Sequence, residues 1–204
     1  MRLNLSQNPD FDKAKNIVCA LIHAEGGKFR GKTRLNKAFW RAHVYHYRYN
    51  SGLLSKYPIA RLPEGPAIDD LDQLLFALEQ EGRIMITEQA AGPYLETVMV
   101  LKSNPPRLHE DEAAAIADAI RWVKNKSASQ VAKESHRLSY GWKTQSNGDI
   151  IDVQMDALDA SDLKARAAEA RTIAKNLNWA EEAMREAFGA ILACMMGAGR
   201  TNPF

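Results

Sequence analysis

Apolar residues recur every three or four positions along most of this chain, and capping or turn residues bracket each such stretch. The pattern therefore predicts helices first. Asn8-Pro9 supplies a capping side chain and a Pro at the first helical position. Phe11, Ala14, Val18, Leu21 and Ile22 follow on one face, and the helix ends at Gly26-Gly27. Lys28 to Lys32 reads as a linker. A second helix then runs to about Tyr49, burying Leu35, Phe39, Ala42, His46 and Tyr49 on one side and carrying Arg34, Lys37, Arg41 and Arg48 on another. Ser51 to Pro66 has Gly and Pro at its ends and reads as a loop. A third helix places Ile68, Leu71, Leu74, Leu75 and Leu78 in the core and closes at Gly82. Asp69, Asp70 and Asp72 at its start complement the helix dipole rather than form a catalytic set.

The period then changes from helical to alternating. Arg83 to Thr87 and Tyr94 to Leu101 are β-rich, and Gly92-Pro93 between them marks the turn of an antiparallel hairpin. Helical spacing returns near His109, with Ala113, Ile116, Ala117, Ile120 and Val123 expected inward. Ser127 and Gln130 have the spacing of a capping box for a further helix carrying Val131, Ala132, His136 and Leu138. After a polar turn at Asn147-Gly148 come Ile150 to Met155. Leu163, Ala167, Ala170, Ala174 and Leu177 then form a narrow seam, and a last helix buries Met184, Ala187, Phe188, Ile191 and Met195.

These elements describe a mostly α chain: a helical domain over residues 1–158 with one small antiparallel hairpin, α+β in a winged-helix-like order, and a C-terminal helical hairpin over residues 159–204. Met155, Met184, Met195 and Met196 give that hairpin an adaptable apolar face that reads first as core and second as a self-association face, so a homodimer through it is one expectation. The longest apolar run falls short of the ~20 residues a bilayer span needs. With no secretory signal pattern and two unpaired cysteines, Cys19 and Cys194, the expected location is the cytoplasm.

Charge adds what periodicity does not. The net charge of the 204 residues is +2, yet Lys28 to Lys56 carries eight basic residues and no acidic one, which leaves −6 for the remainder. Extended by one residue to Tyr57, the segment holds seven aromatics, among them Trp40, Tyr45, Tyr47 and Tyr49. Cations interleaved with rings suit an acidic protein partner or nucleic acid, and they also suit an ordinary solvated helix face. The pI of about 8.5 lies below that of a dedicated nucleic-acid domain, so nucleic acid is the weaker of the two partner readings. Arg34, Lys37, Trp40, Arg41, Tyr47 and Arg48 are the candidate partner-binding residues.

Gly26 to Thr33 satisfies the phosphate-binding pattern G-x-x-x-x-G-K-[ST], with Gly31, Lys32 and Thr33 as the candidate nucleotide residues. That chemistry needs a buried parallel strand before the loop and an Asp-ended strand elsewhere, and the periodicity gives neither. His43 and His46 stand three apart, with His23 upstream, but no Cys or carboxylate accompanies them in sequence. They read as structural histidines, and no metal or cofactor is expected. No other catalytic motif is present, so the chain reads as a non-enzyme.

The order of several short segments carries a resemblance. Thr33-Arg34-Leu35-Asn36-Lys37-Ala38-Phe39-Trp40, Glu64-Gly65-Pro66-Ala67 before a helix and hairpin, Leu108-His109-Glu110-Asp111-Glu112, and Ser135-His136 followed by Trp142 together resemble the Panacea domain of SocA-like antitoxins. The likeness covers about Lys13 to Leu158, and Leu35, Lys37, Gly65, Pro66, His136 and Trp142 are its motif residues. Glu64 stands where the family has Tyr, and Ser135 where it has Thr. The resemblance implies a non-enzymatic domain that binds and neutralises a protein toxin encoded by an adjacent gene. It also implies, for the adaptor members of the family, a ClpXP-type protease as a second partner.

Overall fold

The computed structural model describes residues 8–50 and 52–158. The element order is α1 (Phe11–Ala24), β1 (Lys28–Arg30), α2 (Lys32–Asn50), β2 (Ile59–Leu62), β3 (Gly65–Ile68), α3 (Leu71–Gln80), β4 (Ile84–Ala91), β5 (Tyr94–Leu101), α4 (Glu110–Val123), α5 (Ala128–Leu138), α6 (Tyr140–Thr144) and α7 (Val153–Ala157). The described residues are α+β, with helices around two small antiparallel sheets, one ordered β1-β5-β4 and the other β2-β3. The C-terminal helical hairpin expected over 159–204, with its homodimer face, lies outside the described residues.

Helix α2 is the central element, packed against α1, α4, α5, α7 and β3. Its stripe of Leu35, Phe39 and Ala42 is buried, as its spacing predicts. Tyr49, in the last turn of α2, is not in the core: it is 64% exposed, with its ring 4.6 Å from that of Tyr45. Helix α1 starts two residues later than Asn8-Pro9 suggests. Asn8 instead accepts from the Asp10 and Phe11 amides and forms the turn that leads into the helix.

Two segments that lack a regular period are strands. Lys28 to Arg30 pairs with β5 in the register Phe29↔Met99, burying Phe29 between exposed Lys28 and Arg30. Three residues are too few to display a period, and the partner strand lies far away in sequence. The expected loop before Pro66 contains the hairpin β2–β3, with Arg61 opposite Pro66 and Leu62 opposite Gly65. The hairpin expected at 83–101 is present and longer on its first strand, with Ala91 opposite Tyr94 across the Gly92-Pro93 turn.

Helix α4 buries Ile116, Ile120 and Val123 as its spacing predicts, but Ala115 and Ala119 join them in place of Ala113 and Ala117, which are exposed. Alanine suits either side of a helix, so it gives the wheel no direction. The Ser127–Gln130 capping box forms as its spacing predicts, with reciprocal bonds of 2.8 and 3.2 Å.

Candidate functional site

Three of the four segments that carry the resemblance meet at one place, while Leu108 to Glu112 lies apart, with Glu112 on Lys13 and Asp111 on His46. Lys37 points from α2 towards β3, and its Nζ donates to the Pro66 carbonyl at 2.8 Å. Gly65 sits beside it at φ 107°, where a side chain is disfavoured. A Cβ there would come within 2.5 Å of Ser135 Oγ and 2.9 Å of Lys37 Cε. One residue beyond Ser135, the His136 ring stacks on Trp142 with centroids 3.7 Å apart and planes 6° from parallel. Trp142 Nε1 donates to the Leu62 carbonyl at 2.8 Å, and the Arg61 guanidinium lies 4.8 Å from the Trp142 ring centroid. Residues from α2, the β2–β3 hairpin, α5 and α6 are thus held together by short polar contacts.

The electrostatics follow from burial. Lys37 is 1% exposed, and loss of hydration lowers its pKa to about 7, with the Glu64 charge pulling in the opposite direction. His136 is lowered by burial and then by the Lys37 charge, and its Nε2 is buried with no hydrogen-bond partner among the described residues. An amine with a pKa near 7 can exchange a proton at neutral pH. At 1% exposure it is closed off from solvent, and its bond to the Pro66 carbonyl joins α2 to β3.

The candidate partner face on α2 requires correction. Trp40 is 1% exposed, packs edge-on against Trp122 and donates from Nε1 to Asp156 Oδ2 at 2.7 Å. Lys37 is equally buried, so neither can touch a partner, and Leu35 is pure core. Arg34 donates to Glu25 and to the Val123 carbonyl, Arg41 to Asp118 at 2.8 Å, and Arg48 to the Ala157 carbonyl at 2.8 Å. Tyr47 OH reaches Gln154 at 3.2 Å. Most of the basic helix face is therefore occupied by the rest of the molecule: an amphipathic helix surrounded on several sides buries polar side chains as well as apolar ones.

Asp156 carries no sequence signal. It sits in a five-residue helix between Met155 and Ala157 and accepts from Trp40 Nε1, Ser139 Oγ and the Gly141 amide, all within 2.8 Å. Burial raises its pKa, and these donors work against that rise. It ties α2, α6 and α7 together.

The phosphate-type motif does not adopt a phosphate cradle. Its first two glycines end α1, and its middle residues are β1. The Gly26, Gly27 and Gly31 amides donate to the His23, Ile22 and Thr97 carbonyls respectively. Lys32 opens α2 with its Nζ on Asp72 at 2.6 Å, and Thr33 follows it in the helix. The three glycine amides of the pattern are thus committed to carbonyls of the fold. His43 is bonded to the Phe39 carbonyl, and burial lowers its pKa to about 4. His46 bridges the Gly52 carbonyl and Asp111.

No protein-family model, no curated protein and no solved structure matches this chain.

Proposed function

We propose that this chain is an antitoxin-like binding protein that neutralises a protein toxin by direct contact. The observation that carries the reading is the convergence of the motif residues. Lys37, Gly65-Pro66, Ser135-His136 and Trp142 are remote in sequence, occur in the order that resembles the Panacea domain, and touch one another. Residues kept together in this way make one architectural unit, and the likeness of order then has a physical counterpart. The contacts themselves are those of a scaffold, so the reading is of a binder rather than an enzyme.

Co-expression with the protein encoded by the adjacent gene tests it. The expected result is that the neighbour alone arrests growth, that this chain relieves the arrest, and that the two co-purify. A harmless neighbour that forms no complex overturns the reading. The adaptor form adds that the neighbour's half-life shortens only when this chain and a ClpXP-type protease are both present.

A DNA-binding regulator of winged-helix type is the second reading, favoured by the succession of helices closed by the β4–β5 hairpin. It stands second because α3, the helix before that hairpin, contains no Lys or Arg. A groove-binding helix needs cations for the phosphates.

A further inference from the structure

Two bases sit side by side at the tip of the β2–β3 hairpin. Lys37 is 1% exposed, and its Nζ donates to the Pro66 carbonyl at 2.8 Å. The missing side chain of Gly65 leaves that amine close to Ser135, whose Oγ donates to the Ala132 carbonyl at 2.8 Å, and His136 follows in the same turn of α5. His136 Nε2 is buried with no hydrogen-bond partner among the described residues, and its ring feels the Lys37 charge. The other charged groups that bear on the pair are Glu64 in the hairpin turn and Arg61 on β2. Glu64 draws both bases towards protonation from an exposed position, and Arg61 opposes it at His136.

The hairpin is fastened differently at its two ends. At the root, the Ile151 amide donates to the Ile59 carbonyl at 2.8 Å and the Ile68 amide donates to Asn36 Oδ1 at 3.0 Å, all neutral groups. At the tip, Lys37 holds Pro66, and Trp142 donates from Nε1 to the Leu62 carbonyl while its ring carries the His136 stack. Both titrating groups therefore act on the tip. A proton on Lys37 puts a full charge where a carbonyl stands in for water, and a proton on His136 adds a like charge beside it. Neither charge is satisfied until water or the Glu64 carboxylate reaches it, and either needs the turn at 62–65 to move. Leu62, Pro63 and Glu64 are exposed, so little packing resists that movement.

We propose that the tip of the β2–β3 hairpin is a pH-operated clasp, closed as seen while Lys37 and His136 are neutral and lifted, with the His136–Trp142 stack undone, once acid charges the pair. Lys37 takes its proton first, as pH falls through about 7. The lifted form binds more protons than the closed one, so each step towards acid favours it. Water that enters with the first proton removes the burial that holds His136 low, and the second proton follows closely. The device does not depend on what the chain binds, and it changes the surface around Trp142 while the helices stay folded.

The test is hydrogen exchange on the full chain between about pH 8 and about pH 5.5, corrected for the intrinsic pH dependence of exchange, with tryptophan emission followed in parallel. The expected result is a loss of protection of about tenfold or more in hairpin residues 60–67 on the acid side of about pH 7, while α1 and α4 keep theirs. Emission shifts to the red over the same range, and the shift is absent in Trp142→Phe. Lys37→Met, which keeps the bulk and removes the charge, moves the transition to lower pH, and NMR finds His136 titrating at lower pH there than in the wild type. Hairpin protection that stays flat across the range overturns the proposal, as does a loss shared equally by every element. A His136 that titrates at higher pH in Lys37→Met also overturns it, because two charges then repel each other within a tip that never opens. Where Lys37→Met does not fold, the wild-type exchange profile decides by itself.

Discussion

An ammonium group taken out of water needs other oxygens around it, and Lys37 is given one carbonyl. Burial therefore sets its pKa near 7, with Glu64 as the weaker opposing influence. Between that value and the ordinary 10.5, the unfolded chain holds a proton here that the folded chain has lost, so stability rises with pH across the interval. Cys19 and Tyr57, both raised by burial, act in the opposite sense once pH exceeds about 8.5. The interval to read is thus about pH 7 to 8.5. Over it the wild type should gain about 1 to 2 kcal/mol relative to Lys37→Met, measured by urea denaturation at each pH. Parallel pH responses would show that the amine is hydrated in solution. Asp156 is the complementary case, a carboxylate whose donors are all protein groups. Asp156→Ala strands Trp40 Nε1, Ser139 Oγ and the Gly141 amide and should cost about 3 kcal/mol or more. A loss within about 0.5 kcal/mol would show that water replaces the carboxylate freely.

At the scale of elements, the β2–β3 hairpin is what brings the site together, and its closeness to α2 and α5 depends on the missing side chain at Gly65. Adding a methyl group there would push on Ser135 Oγ and Lys37 Cε while also straining a φ of 107°. Gly65→Ala should therefore lower stability by about 2 kcal/mol or more, seen as a drop in melting temperature. It should also expose Trp142, seen as a red shift of its fluorescence, whereas Gly92→Ala, with open space at its Cβ, would strain only the turn. Long amphipathic elements are legible in the amino-acid pattern: α2, α3 and the β4–β5 hairpin fall where the periods put them. Short ones are not. The strands β1 and β2 exist because Met99 and Ile68 lie opposite them, and no local period over three or four residues carries that information.

For the whole molecule, the charge imbalance of the sequence is largely cancelled by the fold. Of the eight cations between Lys28 and Lys56, Arg30, Lys32, Arg34 and Arg41 meet carboxylates from other elements, and Lys37 is buried. Affinity for duplex DNA should therefore be weak at physiological salt, with a shallow dependence of log K on log salt, about two phosphates' worth or fewer by fluorescence anisotropy. A slope equivalent to about six phosphates would restore the nucleic-acid reading. The sequence by itself determined α1 to α5, the longer hairpin and the capping box at Ser127, because periodicity and capping are local properties of the chain. Only the tertiary structure decided that most of the basic face of α2 is occupied, that Trp40 and Lys37 are interior, and that Asp156 is a structural hub. Burial and ion pairing depend on which distant segment packs against a residue, and charge counting along the chain does not contain that.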